Sequence, residues 1–134
     1  MSTRSSISVF NPETNKWVSI YCHFDGYFSH VGRLLVTHYA TLAKALELVS
    51  EGDLSVLGAS CEKPEGHSFD TPAEGYCIYY GRDRGEHGTK AWIGESLSMS
   101  PKTDQDYCYL FKNDDWFSLQ YKHGQEPLKN YFTE

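Results

Sequence analysis

Two stretches of this chain combine residue types that do chemistry. The first is Tyr21-Cys22-His23-Phe24-Asp25-Gly26-Tyr27. It places an imidazole two residues from a carboxylate, the makings of an acid/base or orienting pair, with a thiol next door that an imidazole can activate. If these residues lie on a strand, however, Cys22 and His23 point to opposite faces and form no dyad without a bulge. The plainer alternative keeps Cys22 in the core and gives Asp25-Gly26 a turn. The second stretch is Gly81-Arg82-Asp83-Arg84-Gly85-Glu86-His87-Gly88 with Lys90. Arginines, a lysine and glycines can cradle a phosphate or carboxylate. The alternative is a solvated loop in which Asp83 and Glu86 neutralise the arginines. His23, Asp25, Tyr27, Arg82, Arg84 and His87 are therefore the ligand-binding candidates. They would act as one pocket only if the two stretches meet in space. No nucleophile, base and oxyanion set is legible, so no catalytic residue is assigned and an enzyme using His23 and Asp25 is the least favoured reading.

The elements that must position these residues follow from periodicity. Ser5 to Phe10 and Lys16 to His23 alternate apolar and polar residues around Asn11-Pro12-Glu13-Thr14-Asn15, which predicts a β-hairpin. Ser29 is placed to cap a helix that starts near His30 and runs to about Tyr39. Thr41 then caps a second helix, ended by Glu51-Gly52-Asp53. Leu54 to Leu57 returns to the core, and Gly58 to Glu74 reads as a long loop. Gly75 to Tyr80 and Ala91-Trp92-Ile93 read as strands, Gly81 to Lys90 as a polar connection. Tyr107 to Lys112 and Trp116 to Lys122 form a hairpin about Asn113-Asp114-Asp115. The expected fold is a single α+β domain over 1–134: an antiparallel sheet of about five strands with two helices on one face, in the order β-β-α-α-β-β-β.

Composition narrows the function. The 134 residues are 40% hydrophobic and 15% aromatic, enough for one core. A net charge of −6 opposes non-specific binding to nucleic acid or anionic lipid. The excess is uneven: 4 basic residues face 5 acidic ones up to Gly58, and 8 face 13 beyond it, which suits a basic partner. No apolar run suits a membrane span or a secretory signal, so a cytoplasmic protein is expected. Cys22, Cys61, Cys77 and Cys108 form no C-x-x-C pair and are expected to be reduced, structural thiols. None of the six histidines lies four residues from another on a helix, and no metal or cofactor is expected. The aromatic residues of the later strands suggest a sheet face either packed beneath the helices or open to a protein partner. Its candidates are Tyr109, Asp114, Asp115, Trp116 and Tyr121, with the expectation that Trp116→Ala or charge reversal at Asp114 and Asp115 weakens binding and leaves the fold intact. An aromatic edge strand at Trp116 to Lys122 would also allow a homodimer.

Ile20 to Tyr27, Val31-Gly32 and His38-Tyr39, then Gly52-Asp53-Leu54-Ser55 and Tyr80 to Glu86, resemble a family of small proteins encoded by bacteriophages and prophages. That family more often has tryptophan where this chain has Phe24, and it supplies no catalytic residue to carry over. The resemblance implies a bacterial host cytoplasm and an accessory role. By that reading the protein binds and inhibits a host protein or nucleoprotein complex, as counter-defence (anti-CRISPR-like) or host-takeover factors do. The alternative is a protein that sequesters a nucleotide-type ligand.

Overall fold

The computed structural model describes residues 3–97, 100–102, 105–120 and 124–127. Strands β1 (Ser5–Asn11) and β2 (Lys16–Cys22) form the expected hairpin, in register from Ser5↔Cys22 to Asn11↔Lys16. Asn15, at φ 60°, closes its loop by donating its N–H to the Asn11 carbonyl at 2.8 Å. A π-helical turn, Phe28–Gly32, then leads into α1 (Arg33–His38). Helix α2 (Leu42–Ser50) begins where the Thr41 hydroxyl accepts the Lys44 N–H at 3.2 Å. It ends at Gly52, whose φ of 92° only glycine adopts freely. The strands β3 (Leu54–Val56), β4 (Ile78–Tyr79), β5 (Trp92–Gly94), β6 (Tyr107–Lys112), β7 (Asp115–Gln120) and β8 (Gly124–Pro127) complete one sheet. Its order is β4-β3-β2-β1-β6-β7-β8, with β5 pairing β2 off that path.

The architecture is α+β, but the sheet is mixed where an antiparallel one was expected. β1 pairs β6 in parallel, and β2 pairs β3 in parallel. In the second case the reason is visible in the chain: two helices separate β2 from β3, and a helical crossover returns the strand in its original direction. Three further differences bear on function. Tyr80–Arg84 forms a third helix, α3, where a polar loop was expected. The strand expected over Gly75 to Tyr80 shrinks to Ile78–Tyr79. The segment after His123 contributes β8, which pairs with β7, so the Trp116 strand is not the free edge it was expected to be.

Ile7, Val9, Ile20 and Cys22 from one face of the hairpin pack with Leu35, Ala45, Leu48 and Val49 from the helices. Tyr109, Phe111 and Trp116 extend that core across β6 and β7. The opposite face carries Ser8 and Ser19, buried and hydrogen-bonded to each other at 2.7 Å. Pro101, Lys102 and Gln105, which follow β5 in the chain, line a cleft beside Tyr21 and Trp92. Among the described residues, no helix is long and apolar enough to cross a membrane.

Candidate functional site

The turn after β2 is fixed on every side. Asp25 takes a left-handed conformation, φ 57°, which aspartate tolerates better than most residues. Gly26 donates its N–H to the Thr3 carbonyl at 2.9 Å and accepts the Tyr109 hydroxyl at 2.6 Å. The Asp25 carbonyl takes the Val31 N–H at 3.3 Å. A Cβ on residue 26 would stand 2.7 Å from Ser5 Cβ and 2.9 Å from the Thr3 carbonyl oxygen. Gly26→Ala is therefore expected to cost about 1–3 kcal/mol by overpacking this clamp, read as a lower urea midpoint.

What the clamp presents is aromatic. Phe24 and Tyr27 are 41% and 39% exposed, two of the three large hydrophobic side chains most open to solvent among the described residues. The third is Ile93. The Tyr27 hydroxyl donates to Asp25 at 3.2 Å. His23 does not reach Asp25 among the described residues: its Nδ1 meets the Tyr21 hydroxyl at 2.5 Å, and its ring lies edge-on to Phe24 with centroids 4.5 Å apart. The orienting pair raised by the spacing is thus replaced by a Tyr21–His23 pair. Cys22 faces the core, as the strand geometry required, and its thiol is pushed up to about 12 by burial first and by neighbouring Cys77 second. A neutral thiol of that kind is no nucleophile at neutral pH.

The Gly81–Lys90 stretch divides into a structural and an open part. Asp83 is buried and accepts the Tyr79 N–H at 2.8 Å, Arg82 Nε at 2.9 Å and Arg82 Nη2 at 3.1 Å. Burial raises the Asp83 pKa, but the Arg82 hydrogen bonds, the Tyr79 N–H and the charge of Arg82 outweigh it, and the carboxyl sits below its usual range. Arg82 Nη1 donates to the Cys61 carbonyl at 2.6 Å, and Nη2 reaches the Cys77 carbonyl at 3.3 Å. His67, also buried, takes the Ala73 N–H on Nδ1 at 2.9 Å, which leaves Nε2 to donate toward the Cys77 carbonyl at 3.1 Å and Asp83 at 3.3 Å. Arg82 is thereby spent on holding the 58–77 loop against α3 and is not available to an anion. Beyond α3, Gly85 at φ 77° ends the helix, and Arg84, Glu86, His87 and Lys90 are exposed.

The two stretches meet through residues that periodicity did not single out as a site. Asp53 takes the Tyr21 N–H on Oδ1 at 2.9 Å, while its carbonyl accepts the Tyr80 N–H at 3.1 Å. The Tyr21 phenol is raised in pKa by burial, opposed by Arg4 and reinforced by neighbouring Tyr80 and Asp53. Tyr80 packs on Phe69 with centroids 5.7 Å apart, and the Arg84 guanidinium lies 4.7 Å over the Phe69 ring. The result is a half-exposed row running Phe24, His23, Tyr21, Tyr80, Phe69, Arg84. Tyr21, His23, Phe24 and Arg84 lie in the two stretches singled out by residue type, and Tyr80 ends a strand-like run; Phe69 sits in a loop with no period at all.

A row is not a pocket. Two clefts flank the loop after α3, one of about 840 Å³ lined by Gly81, Arg82, His87 and Lys90 among others, and one of about 520 Å³ beside Tyr21 and Trp92. Neither is lined by His23, Asp25, Tyr27 or Arg84. The partner-binding candidates also separate. Trp116 and Tyr109 are buried in the core, Trp116 donating its indole N–H to the Tyr39 carbonyl at 2.8 Å, so neither ring is open to a partner. Asp114 is exposed at the hairpin tip and Asp115 is half-buried. Tyr121 lies outside the described residues. No group of three His, Cys, Asp or Glu among the described residues could hold a metal ion. Compared with known proteins, the chain matches no family model and has no significant match among curated proteins or solved structures, so its function must be read from its own residues.

Proposed function

We propose that the protein acts by binding: it docks on a partner protein through the row from Phe24 to Arg84, with Phe24 and neighbouring Tyr27 as anchors. The observation that supports this most is the presentation of two exposed aromatic rings on a backbone clamped at Gly26. Aromatic and arginine side chains dominate binding energy at interfaces, and a backbone already fixed loses little freedom on association. The net charge of −6 favours a partner with a basic face. Together with the resemblance to phage-encoded accessory proteins, that points to a host protein or nucleoprotein complex that this chain blocks. The docking surface in this reading is the β2 turn and not the β6–β7 sheet face.

The test is recovery of tagged protein from bacterial cells. The wild type is expected to retain a stoichiometric protein partner, and Phe24→Ala/Tyr27→Ala to lose it while keeping the wild-type melting temperature. A partner retained equally by the double variant would refute the assignment.

A further inference from the structure

The smaller cleft has a construction of its own. Trp92 pairs with Ser19 across the β5–β2 ladder, and its six-membered ring lies directly against Gly94, where any Cβ would collide with it. Glycine at 94 therefore lets the indole fold down along its own strand, and Trp92 walls the cleft. Tyr21 stands on the adjacent strand, its hydroxyl held by His23. Cationic groups complete the lining. Lys102 Nζ is held by both Asp53 carboxylate oxygens at 2.6 Å and lies 3.5 Å from the Lys90 carbonyl. Asp53 neutralises that ammonium, whereas the exposed Lys90 ammonium has no ion-pair partner among the described residues. Gly88, at φ 78° with nothing within 4 Å of a Cβ position, leaves the backbone beside Lys90 bare. Among the described residues no acceptor takes the Gly88 N–H. Gln105 adds an amide to the lining.

We propose that this cleft binds a small ligand joining a planar aromatic ring to a phosphate, the chemistry of a nucleoside monophosphate. The ring stacks on Trp92, and the phosphate lies at Lys90 and the Gly88 N–H. Aromatic side chains stack any base, and a bare left-handed glycine lets a phosphate reach the main chain. The volume, about 520 Å³, is within the range of small-molecule sites. The protein's net charge of −6 favours a free mononucleotide over a nucleic-acid strand. This site stands apart from the docking row, from which it borrows only the Tyr21 ring, and either assignment can fail without the other.

The experiment is calorimetric titration of the full chain with AMP, GMP, CMP and UMP, then with adenosine, inorganic phosphate and a short oligothymidylate. At least one monophosphate is expected to bind at one per chain, with adenosine and phosphate each weaker by about tenfold or more, the scale of one lost charge-assisted hydrogen bond. Lys90→Ala, on an exposed side chain, should weaken the same monophosphate by about tenfold or more. Trp92→Ala should abolish saturable binding, and the Trp92 indole N–H resonance should shift on titration while that of core Trp116 stays. No saturable binding by any of the four, or unchanged binding by both variants, would overturn the site. Tighter binding of the oligothymidylate than of every monophosphate would overturn the small-ligand assignment.

Discussion

Asp83→Ala is expected to destabilise the protein by about 3–5 kcal/mol, the usual cost of removing one partner from a buried ion pair. The Asp83 side chain is wholly inaccessible, and it holds Arg82, the Tyr79 N–H and His67 at once. Its loss strands an arginine whose other bonds, to the Cys61 and Cys77 carbonyls, close the 58–77 loop. A cost of that size is a large share of the stability of a small domain. Urea unfolding of wild type and variant measures it directly. The same carboxylate sets a pH dependence. Its folded pKa lies below the ordinary carboxylate value, so its stabilising contribution is complete above that ordinary value, about 4, and is lost as pH falls through the lower folded value. Wild type should therefore lose stability steeply below about pH 4, and Asp83→Ala should show a flatter decline there. A variant within about 0.5 kcal/mol of wild type would place Asp83 among ordinary surface residues and remove the clasp from this account.

Trp116→Ala should likewise cost about 3–5 kcal/mol, as large-to-small changes of buried aromatic residues do. The ring is 1% exposed, meets Phe111 edge-on with centroids 5.1 Å apart, and ties β7 to the end of α1 through Tyr39. Trp116→Phe should lose much less, since it keeps most of the packing and gives up one hydrogen bond worth about 1 kcal/mol. The β6–β7 alternation suggested a residue whose truncation leaves the fold intact. Its burial predicts that any loss of partner binding in Trp116→Ala follows unfolding, seen as a parallel loss of the melting transition.

That contrast shows where the sequence was legible. Local rules worked: Thr41 caps α2, Gly52 ends it, and Asn113 and Asp114, with φ of 55° and 62°, make the two-residue hairpin turn between β6 and β7. Cys22, Cys77 and Cys108 are buried, as expected of structural thiols, and so is Cys61 in the long loop. Alternation in β6 and β7 placed the aromatic residues on two faces, but it cannot say which face the helices cover. The register Val9↔Phe111↔Trp116 decides that, and it depends on a parallel pairing between segments a hundred residues apart. The site divides in the same way. His23, Asp25 and Tyr27 were visible as a polar turn, and Arg84 as an exposed charge. Of the residues that join them, Tyr21 and Tyr80 became neighbours because Asp53 anchors two main-chain segments at once, and Phe69 is brought in by its N–H bond to the Asp83 carbonyl. Arg82 showed the reverse: its side chain suggested a ligand contact, and its geometry serves loop carbonyls.

The docking surface is the central claim, and affinity for the purified partner tests it most directly. Wild type, Phe24→Ala/Tyr27→Ala and a variant with Asp114 reversed to lysine at the β6–β7 tip would be titrated against it, each first shown to melt as wild type. Loss of two aromatic anchors should weaken binding by about 100-fold. The Asp114 variant, on the hairpin tip, should bind within about threefold of wild type. The opposite pattern, with full affinity in the aromatic variant and loss in the hairpin variant, would contradict the account and return the partner to the acidic tip.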